Sequence, residues 1–278
     1  MNKEQFAKWL SGFIDAEGNF QVFFDRGYLR VLFRINLHID DVKVLYAIQK
    51  YLGIGTVRTQ STSAVYSIGK LQDLITVLLP LLEMHSLRTT KYLDYIDFKK
   101  ILHLLSSSPS TKLSGTSLTT AKSIISGMNS TRSEYDYSKI HNLNKIDPYW
   151  LLGLIEGEGT FGFRNLVPYF QLGLNSRNLL LLESISSYLA TLPNGFGFTL
   201  KSPAPKVSIT LNKRTNVTVI AIANIDALYD YLAMFLLDMP FQSRKSVDFY
   251  YWCLALYLHK TGHFYTPSGR ALLRPPAY

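Results

Sequence analysis

Two stretches of the chain, Leu10–Phe20 (LSGFIDAEGNF) and Leu151–Phe161 (LLGLIEGEGTF), repeat one pattern and are identical at six of 11 positions. In each stretch, apolar residues at helical spacing lead into a carboxylate, a glycine and an aromatic residue, which predicts an amphipathic helix followed by a strand. Gly18 and Gly159 stand where a left-handed residue commonly ends a helix, so we expect both to adopt that conformation. The repeat indicates two copies of one structural unit.

The acids Glu17 and Glu158 are therefore expected at helix C-termini. This is an unfavourable place for an anion, because the helix macrodipole already puts partial negative charge there. A bound divalent cation would remove the conflict, and the carbonyls of Ala16 and Gly157 would add oxygen ligands that a hard cation prefers. An acid beside a helix-ending glycine is usually only a solvated cap, but a cap does not require duplication of the whole motif.

Two further pairs of residues belong to the motif. Gly12 and Gly153 leave the helix surface without side chains, and we expect them to let the two motif helices pack closely. Asp15 and Glu156 lie two residues before the acids at the helix ends, so their side chains point away from those acids. We interpret Asp15 and Glu156 as structural residues.

The duplicated motif resembles that of the LAGLIDADG homing endonucleases, in the single-chain form with two motifs, and especially of members encoded in fungal mitochondrial introns. In that family the eighth motif position is the metal-binding acid, and it falls on Glu17 and Glu158. The resemblance implies an α+β fold with two pseudo-symmetric αββαββα repeats, each with a four-stranded antiparallel sheet, forming a DNA-binding saddle. We expect the first repeat at residues 1–105, a linker at 106–147 and the second repeat at 148–278.

The resemblance also implies a function. It predicts a site-specific double-strand DNA endonuclease that cleaves a long pseudo-palindromic site by divalent-metal-assisted phosphodiester hydrolysis and leaves short 3′ overhangs. Mg²⁺ is the expected cofactor, with Mn²⁺ or Ca²⁺ as substitutes and no cleavage in Ca²⁺. Lys91 and Lys245 match the basic residue that the family has near the scissile phosphate. The alternative is that each is a surface lysine paired with Asp94 or Asp248.

One position departs from the family pattern. The family tends to place a polar residue on the second strand, near the metal-bound water. This chain has Leu37 and Leu174 there, with His38 and Asn175 beside them. The residues that handle the nucleophilic water are therefore not identified by the resemblance.

Alternating and helical patterns predict the remaining elements. Strands of the first repeat are expected at Phe20–Asp25, Tyr28–Leu37, Gly55–Gln60 and Ala64–Ile68, and its helices at Asp40–Leu52, Leu71–Leu82 and Thr89–Leu104. Strands of the second repeat are expected at Thr160–Leu166, Tyr169–Asn175, Phe196–Ser202, Val207–Leu211 and Val217–Ala223, and its helices at Asn178–Leu192, Ile225–Leu236 and Ser243–His259. Within the linker we expect a short helix at Thr119–Met128 and an extended segment at Asn129–Asn144.

DNA is expected to lie across the polar faces of the two sheets, since β-strands fit the major groove. A polar sheet face is normally only solvated, but arginines on it suit contacts to bases and phosphates. The predicted DNA-binding residues of the first sheet are Gln21, Phe23, Asp25, Tyr28, Arg30, Arg34, Asn36, Thr56, Arg58, Gln60, Ser67 and Lys70. Those of the second sheet are Arg164, Gln171, Lys201, Ser208, Lys213 and Arg214.

Composition agrees with a polyanionic partner. The chain has 29 Lys and Arg against 20 Asp and Glu, a net charge of +9. Cys253 is the only cysteine, which excludes disulfides and Cys-rich zinc sites. The apolar stretches Leu74–Leu82 and Tyr231–Phe241 are shorter than the roughly 20 residues of a membrane span, so we expect core helices. We expect no targeting peptide at the N-terminus, so a mitochondrial protein would be made inside the organelle. The resemblance further implies a monomer with an internal pseudo-two-fold.

Two other functions remain open. An intron RNA maturase, acting as a splicing cofactor, would need basic surface away from the sheets. A catalytically inactive DNA-binding regulator should have lost one acid of the pair, whereas both are present here. The candidate RNA-binding residues are Lys99, Lys100, Lys112, Lys122 and Arg132.

Overall fold

The chain forms two compact units. The first contains residues 1–143 together with 149–154, and the second contains the remainder. Each unit holds one four-stranded antiparallel sheet. The computed structural model describes residues 1–108, 110–140, 143, 145–193 and 205–273.

The first unit starts with α1 (Lys3–Glu17), whose N-terminus is closed by a capping box between Asn2 and Gln5. The sheet order is β1-β2-β4-β3. Its strands are β1 (Gly18–Asp25), β2 (Tyr28–His38), β3 (Thr56–Thr59) and β4 (Ser63–Ile68). Its other helical segments are α2 (Val42–Leu52), α3 (Leu71–Asp73), a π-helical turn at Leu74–Leu78, α4 (Leu79–Met84), α5 (Lys91–Ser106) and α6 (Gly115–Ser126).

The second unit repeats this order. The second motif helix, α7 (Pro148–Glu158), contributes residues 149–154 to the first unit and then enters the second. The strands β5 (Gly159–Arg164), β6 (Val167–Asn175), β7 (Ser208–Asn212) and β8 (Val217–Ile222) pair in the order β5-β6-β8-β7. The other helical segments are α8 (Leu179–Ala190), α9 (Ile225–Ala227), a π-helical turn at Leu228–Ala233, α10 (Met234–Leu237), α11 (Lys245–Lys260) and α12 (Pro267–Leu272).

The aromatic residue that ends each motif lies at the centre of its unit's core. The Phe20 ring is 5.3 Å from the rings of Phe33 and Phe98. The Phe161 ring is 5.1 Å from that of Phe249 and 5.2 Å from that of Trp252. Burial of one such side chain stabilises the fold by roughly 1.5–3 kcal/mol. The motif therefore anchors the sheet to the helices behind it.

The α+β class and the two four-stranded antiparallel sheets are confirmed. The predicted strand Phe196–Ser202 lies outside the described residues, and the predicted strand Val207–Leu211 corresponds to β7 at Ser208–Asn212. The apolar stretch Leu74–Leu82 is helical throughout, whereas the helix over Tyr231–Phe241 ends at Leu237; each of these helices includes a π-helical turn. No helix in the described part of the chain has the length and apolar character needed to cross a bilayer.

The expected left-handed conformation of the two motif glycines is wrong. Gly18 is extended, with φ −70° and ψ 147°, and is already the first residue of β1. Glycine is needed there because a Cβ atom would lie 2.7 Å from the carbonyl oxygen of Ile14. At Gly159 a Cβ atom would lie 2.7 Å from the carbonyl oxygen of Ile155. These glycines permit a close approach of strand to helix, and positive φ is not required.

The linker is more structured than expected. Its helix α6 begins at Gly115, four residues before the predicted start at Thr119. The segment predicted to be extended contains short 3-10 turns at Asn129–Thr131 and Tyr137–Lys139. The Asn129 side-chain amide donates to the carbonyl of Phe20 at 3.0 Å, which fastens the linker to the motif strand.

Candidate functional site

The end of the first motif helix meets a lysine from a distant helix. Glu17 is the last residue of α1 and is partly buried. Lys91 is the first residue of α5, and its Nζ donates to the carbonyls of Ile14 at 3.1 Å and Ala16 at 2.9 Å. These carbonyls lie in the last turn of α1, where the macrodipole favours a cation. The fold thus brings a carboxylate, an ammonium group and backbone oxygens to one helix end.

The second unit contains the same arrangement. Glu158 is the last residue of α7 and is exposed. Lys245 is the first residue of α11, and its Nζ donates to the carbonyls of Gly157 at 3.4 Å and Gly159 at 2.5 Å. The lysine and the acid therefore recur together, each at the same place in its unit.

These groups fit a divalent-cation site that is completed by substrate. The carbonyls of Ala16 and Gly157, predicted as metal ligands, accept hydrogen bonds from the lysines, but each carbonyl oxygen has a second lone pair. Mg²⁺ is typically held by one or two carboxylates together with waters and substrate phosphates. In the described ranges, no three or more His, Cys, Asp or Glu side chains cluster into a metal site of their own. Glu17 or Glu158 with backbone oxygens would supply the protein's share.

Asp15 holds the segment that precedes Lys91. Its buried carboxylate accepts from the backbone of Arg88 at 2.8 Å, and from the backbone and hydroxyl of Thr89 at 3.0 and 2.6 Å. The indole of Trp150 donates to the same carboxylate at 2.9 Å. Burial raises the pKa of Asp15, while these four hydrogen bonds act to lower it. Thr89 in turn accepts from the backbone N–H of Lys91, so the carboxylate fixes the start of α5.

Glu156 does the same in the second unit. Its buried carboxylate accepts from the backbone N–H groups of Gln242 at 3.0 Å and Ser243 at 2.5 Å, and from the Ser243 hydroxyl. The Ser243 hydroxyl accepts from the backbone N–H of Lys245 at 3.4 Å. Both acids therefore have the structural contacts expected of them, and each positions the segment that carries a lysine.

Asp94, the alternative partner considered for Lys91, is engaged by another cation. Arg132 donates to its Oδ1 through Nε at 3.0 Å and Nη2 at 2.8 Å, and the backbone N–H of Asn129 adds a third bond. Arg132 also contacts Asp97 at 2.6 Å, and its side chain is only 11% exposed. It is thus a structural residue of the linker, which corrects its place among the RNA-binding candidates.

The two motif glycines lie where α1 meets residues 149–154 of α7, within the first unit. A Cβ atom on Gly12 would be 1.9 Å from the carbonyl oxygen of Trp150. A Cβ atom on Gly153 would be 2.0 Å from the carbonyl oxygen of Trp9. Only glycine allows the two backbones to come this close.

The exposed face of the first sheet carries ordered rows of polar side chains. Asn19 pairs with Arg34, Arg34 with Ser67, and Ser67 with Thr56, so one row crosses all four strands. Asn19 is missing from the predicted set, although alternation extended by two residues from Gln21 would have found it. The row presents one guanidinium among three shorter hydrogen-bonding groups.

A groove of about 540 Å³ lies on this face. Arg34, Arg58 and Lys70 line it together with Gln60. The Arg34 guanidinium is 3.4 Å from the Gln21 side-chain oxygen. The other predicted residues of this sheet lie on the same face or at its edge, and all are exposed or partly buried: Phe23, Asp25, Tyr28, Arg30, Asn36, Thr56 and Ser67.

The second sheet carries fewer cations on its exposed face. Gln171 pairs with Ala221, which pairs with Ser208, so these predicted residues share a row. Arg164 lies on this face at the end of β5. Lys213 and Arg214 lie in the turn between β7 and β8, as the predicted strand bounds imply. Lys201 lies outside the described residues, and the residues of this face that were missed are Thr160, Tyr169, Asn175, Thr210 and Asn212.

A family model described as LAGLIDADG endonuclease matches residues 10–102 and 151–256. The chain belongs to the LAGLIDADG endonuclease family. The two matched regions contain both acids and both lysines at the helix ends.

Relatives of the chain are found among fungal proteins. It is 25% identical to the "Uncharacterized mitochondrial protein RF1" of Saccharomyces cerevisiae, over 99% of this chain and 59% of that protein. It is 28% identical to the "Probable intron-encoded endonuclease 3" of Neurospora crassa, over 80% of this chain and 48% of that protein. The chain therefore spans about half the length of these relatives.

Solved LAGLIDADG structures share the fold. I-SmaMI, bound to uncleaved DNA target in the presence of calcium ions, superposes with a TM-score of 0.80 at 22% identity, covering 96% of this chain and 97% of that one. I-GzeII in complex with DNA target gives a TM-score of 0.78 at 22% identity, covering 96% and 95%.

The positions where the family tends to have a polar residue lie on the apolar side of each sheet. Leu37 is partly buried and Leu174 is buried. The adjacent residues are exposed: His38 Nδ1 lies 3.2 Å from Asp40 Oδ2, and Asn175 Oδ1 accepts from the backbone of Arg177. On β2 the exposed amide of Asn36 also adjoins Leu37.

Proposed function

We propose that the chain is a site-specific double-strand DNA endonuclease. The observation that carries the proposal is the acid and lysine brought together at the motif helix end of each unit, because cutting two strands requires two sets of hydrolytic groups. The name of the Neurospora crassa relative supports an endonuclease. The I-SmaMI and I-GzeII complexes support duplex DNA as the substrate of this fold.

The exposed sheet faces would contact the DNA. Arg34 and Arg58 beside the groove of the first sheet are suited to bidentate contacts with guanine, and Gln171 on the second to adenine. Because the two faces differ in their side chains, the recognised site would be pseudo-palindromic. The resemblance to the family implies that its cleavage would leave short 3′ overhangs.

The chain's own residues divide the chemistry between them. A bound Mg²⁺ would lower the pKa of its water and offset charge on the phosphate, and Glu17, Glu158 and the carbonyls of Ala16 and Gly157 would hold it. Lys91 and Lys245 present positive charge beside these oxygens and would stabilise charge that develops on the phosphate during cleavage. Asp15, through Thr89, keeps the Lys91 segment in place.

The relatives support a proposal for the biological setting. We propose a mitochondrial, intron-encoded protein that acts as a monomer, with one repeat in each half of the chain joined by the linker that contains α6. The mitochondrial relative in Saccharomyces cerevisiae supports the compartment. One chain already carries both acid–lysine pairs, which supports a monomer.

Substitution of the acids tests the proposal. Glu17→Gln keeps the size and hydrogen bonding of the side chain but removes the charge that would hold a metal. We expect Mg²⁺-dependent cleavage to fall roughly 100-fold or more, since metal catalysis contributes several kcal/mol. Binding of target DNA in Ca²⁺ should persist. The assay follows supercoiled, nicked and linear forms of a plasmid that carries a site selected from a random library.

Glu4→Gln is the matched control, because Glu4 lies in the first turn of the same helix and its side chain is 61% exposed. It should cleave like the unmodified protein. If Glu17→Gln and Glu158→Gln both linearise the plasmid at the unmodified rate, these residues are not metal ligands and the endonuclease proposal is wrong.

A further inference from the structure

A second cavity lies between α4 and α5 of the first unit, formed by residues that the proposed DNA site does not use. Its volume is about 390 Å³. This is within the range of about 300–1,000 Å³ that is typical of small-molecule sites. The lining side chains that carry chemistry are Glu83, Tyr92, Tyr95, Lys99, Lys100 and His103.

One wall of this α4–α5 cavity contains a buried hydroxyl with an unmet hydrogen bond. Tyr95 is 3% exposed, and among the described residues its hydroxyl has no hydrogen-bond partner. Buried tyrosine hydroxyls usually have one, because an unsatisfied buried polar group is costly. Burial also raises the pKa of Tyr95, which keeps the hydroxyl protonated and able to donate. Tyr95 lines the cavity, and its protonated hydroxyl is a donor without an acceptor among the described residues.

A flat aromatic ligand matches the neighbouring groups. The Tyr92 ring is partly buried, and its centroid lies 5.8 Å from that of Tyr95, so it offers a stacking surface beside the hydroxyl. The exposed Glu83 carboxylate on the opposite wall is an acceptor for an exocyclic amine. A nucleobase has a stacking face, acceptors and often such an amine, and it can use all three groups together.

Cations at the cavity suit the phosphates attached to such a base. Lys99 contacts Glu83 at 2.6 Å and Lys100 contacts Asp97 at 2.8 Å, so both ammonium groups are held near the cavity by carboxylates. His103 is exposed and adds a third basic group one turn further along α5. Because Lys99 and Lys100 are already paired, the cavity is not strongly basic, which favours recognition of a base over binding of phosphate alone.

We propose that the α4–α5 cavity receives one unstacked nucleotide of a single-stranded nucleic acid. The base stacks on Tyr92 and accepts from the Tyr95 hydroxyl, its amine donates to Glu83, and Lys100 and His103 contact the backbone. Bases in duplexes are stacked and paired, so this site selects single strands. RNA and DNA share this chemistry, and the 2′-hydroxyl is what distinguishes them.

Fluorescence anisotropy with short labelled cytidine-rich oligonucleotides, without divalent metal, tests the site in the full chain. Tyr92→Leu should weaken binding at least about fivefold through loss of stacking. Tyr95→Phe removes only the hydroxyl and should weaken binding about two- to tenfold. Tyr46→Leu is the matched control, because Tyr46 is an exposed tyrosine on α2 outside the cavity, and it should bind like the unmodified protein.

Two readouts separate this role from folding and from the proposed cleavage. Tyr95→Phe should unfold at the same temperature as the unmodified protein or higher, since it removes a buried unsatisfied group. Its cleavage of duplex DNA should be unchanged. If RNA binds more tightly than the matching DNA, the ligand of the site is single-stranded RNA. If the two bind equally, the site accepts a single strand of either kind.

Photocrosslinking gives a measurement that needs no variant. An oligonucleotide with a photoreactive 5-iodocytosine base, which keeps the exocyclic amine, should crosslink to a peptide within residues 82–103. Crosslinks found only elsewhere, or equal single-strand affinity of Tyr92→Leu, Tyr95→Phe and the unmodified protein, would overturn the proposal.

Discussion

The contact between α1 and α7 gives a prediction whose size follows from the structure. In Gly12→Ala the new Cβ atom would lie 1.9 Å from the carbonyl oxygen and 2.8 Å from the carbonyl carbon of Trp150, and 3.1 Å from the backbone nitrogen of Leu154. All three are backbone atoms, so no side chain can turn away. Since non-bonded atoms pack best at about 3.5–4.0 Å, the two backbones would have to separate by more than about 1 Å.

This clash should outweigh the better helix propensity of alanine. Overpacking of a core costs about 1–3 kcal/mol and occasionally more. Because the Cβ atom of Gly12→Ala would meet backbone atoms that cannot turn away, we take the upper value, about 3 kcal/mol. The higher helix propensity of alanine stabilises a helix interior by about 1 kcal/mol relative to glycine. The net loss of about 2 kcal/mol should lower the Tm by roughly 4–8 °C, because 1 kcal/mol corresponds to about 2–4 °C for a unit of this size.

Thermal unfolding followed by circular dichroism measures the effect. Gly127→Ala is the matched control, because Gly127 ends α6 with an ordinary φ of −102° and the nearest atom to its Cβ position is 3.6 Å away. Its Tm should stay the same or rise slightly. A Tm for Gly12→Ala that equals or exceeds that of the unmodified protein would refute the close packing of these helices.

Further expectations concern the anchored lysine, DNA binding and the cysteine. Thr89→Val removes the hydroxyl that joins Asp15 to the start of α5, and should cost about 1–3 kcal/mol in urea unfolding and slow plasmid cleavage. DNA affinity measured across a salt series should fall with a log–log slope of about −0.9 for each phosphate neutralised, and a slope near zero would contradict a polyanionic partner. Arg34→Ala should relax specificity at one or two base pairs by about 1–3 kcal/mol when cleavage of all single-substituted sites is profiled, whereas uniform loss would indicate a phosphate contact. Burial raises the pKa of Cys253 from 9.0 to about 12. At pH 8 its thiolate should therefore be about 1,000-fold rarer than in the urea-unfolded chain, and alkylation by iodoacetamide correspondingly slower. Equal alkylation rates in the folded and unfolded chain would contradict this burial.

The sheets could be predicted because their signal is local. In β2 the residues Val31, Phe33 and Ile35 are buried while Arg30 and Arg34 between and beside them are exposed, so a few consecutive residues define both the strand and its faces. The predicted end of β2 differs from the observed one by a single residue. The same alternation gave most of the exposed polar face of the first sheet.

The contacts of Asp15 and Glu156 could not be predicted from sequence. Thr89 lies 74 residues after Asp15, and Ser243 lies 87 residues after Glu156. No periodicity joins residues so far apart, and spacing on a helix indicated only that these acids face away from the metal-binding candidates. The anchoring role therefore emerges only when the segments before α5 and α11 are placed in space.

The π-helical turns could not be predicted from the sequence pattern either. They occur at Leu74–Leu78 and Leu228–Ala233, in corresponding places of the two units. Over five or six residues, the hydrophobic period of a π-helix cannot be separated from that of an α-helix. Pro80, which interrupts the apolar stretch, lies in the first turn of α4, directly after the π-helical turn Leu74–Leu78. A proline is tolerated in the first turn of a helix because it has no backbone N–H to satisfy.

The two sheets have the same strand order but different chemistry on their exposed faces. Arg30, Arg34 and Arg58 make the first face basic, whereas the polar side chains of the second face are Arg164 at its edge and otherwise amides and hydroxyls. Arginine suits guanine, and amide side chains suit adenine. Duplication would conserve the groups that cut, since a phosphodiester is the same in every sequence, while the faces that meet the bases are free to diverge. A pseudo-palindromic target, with similar chemistry at both cuts and different bases in each half, is the outcome expected from that division.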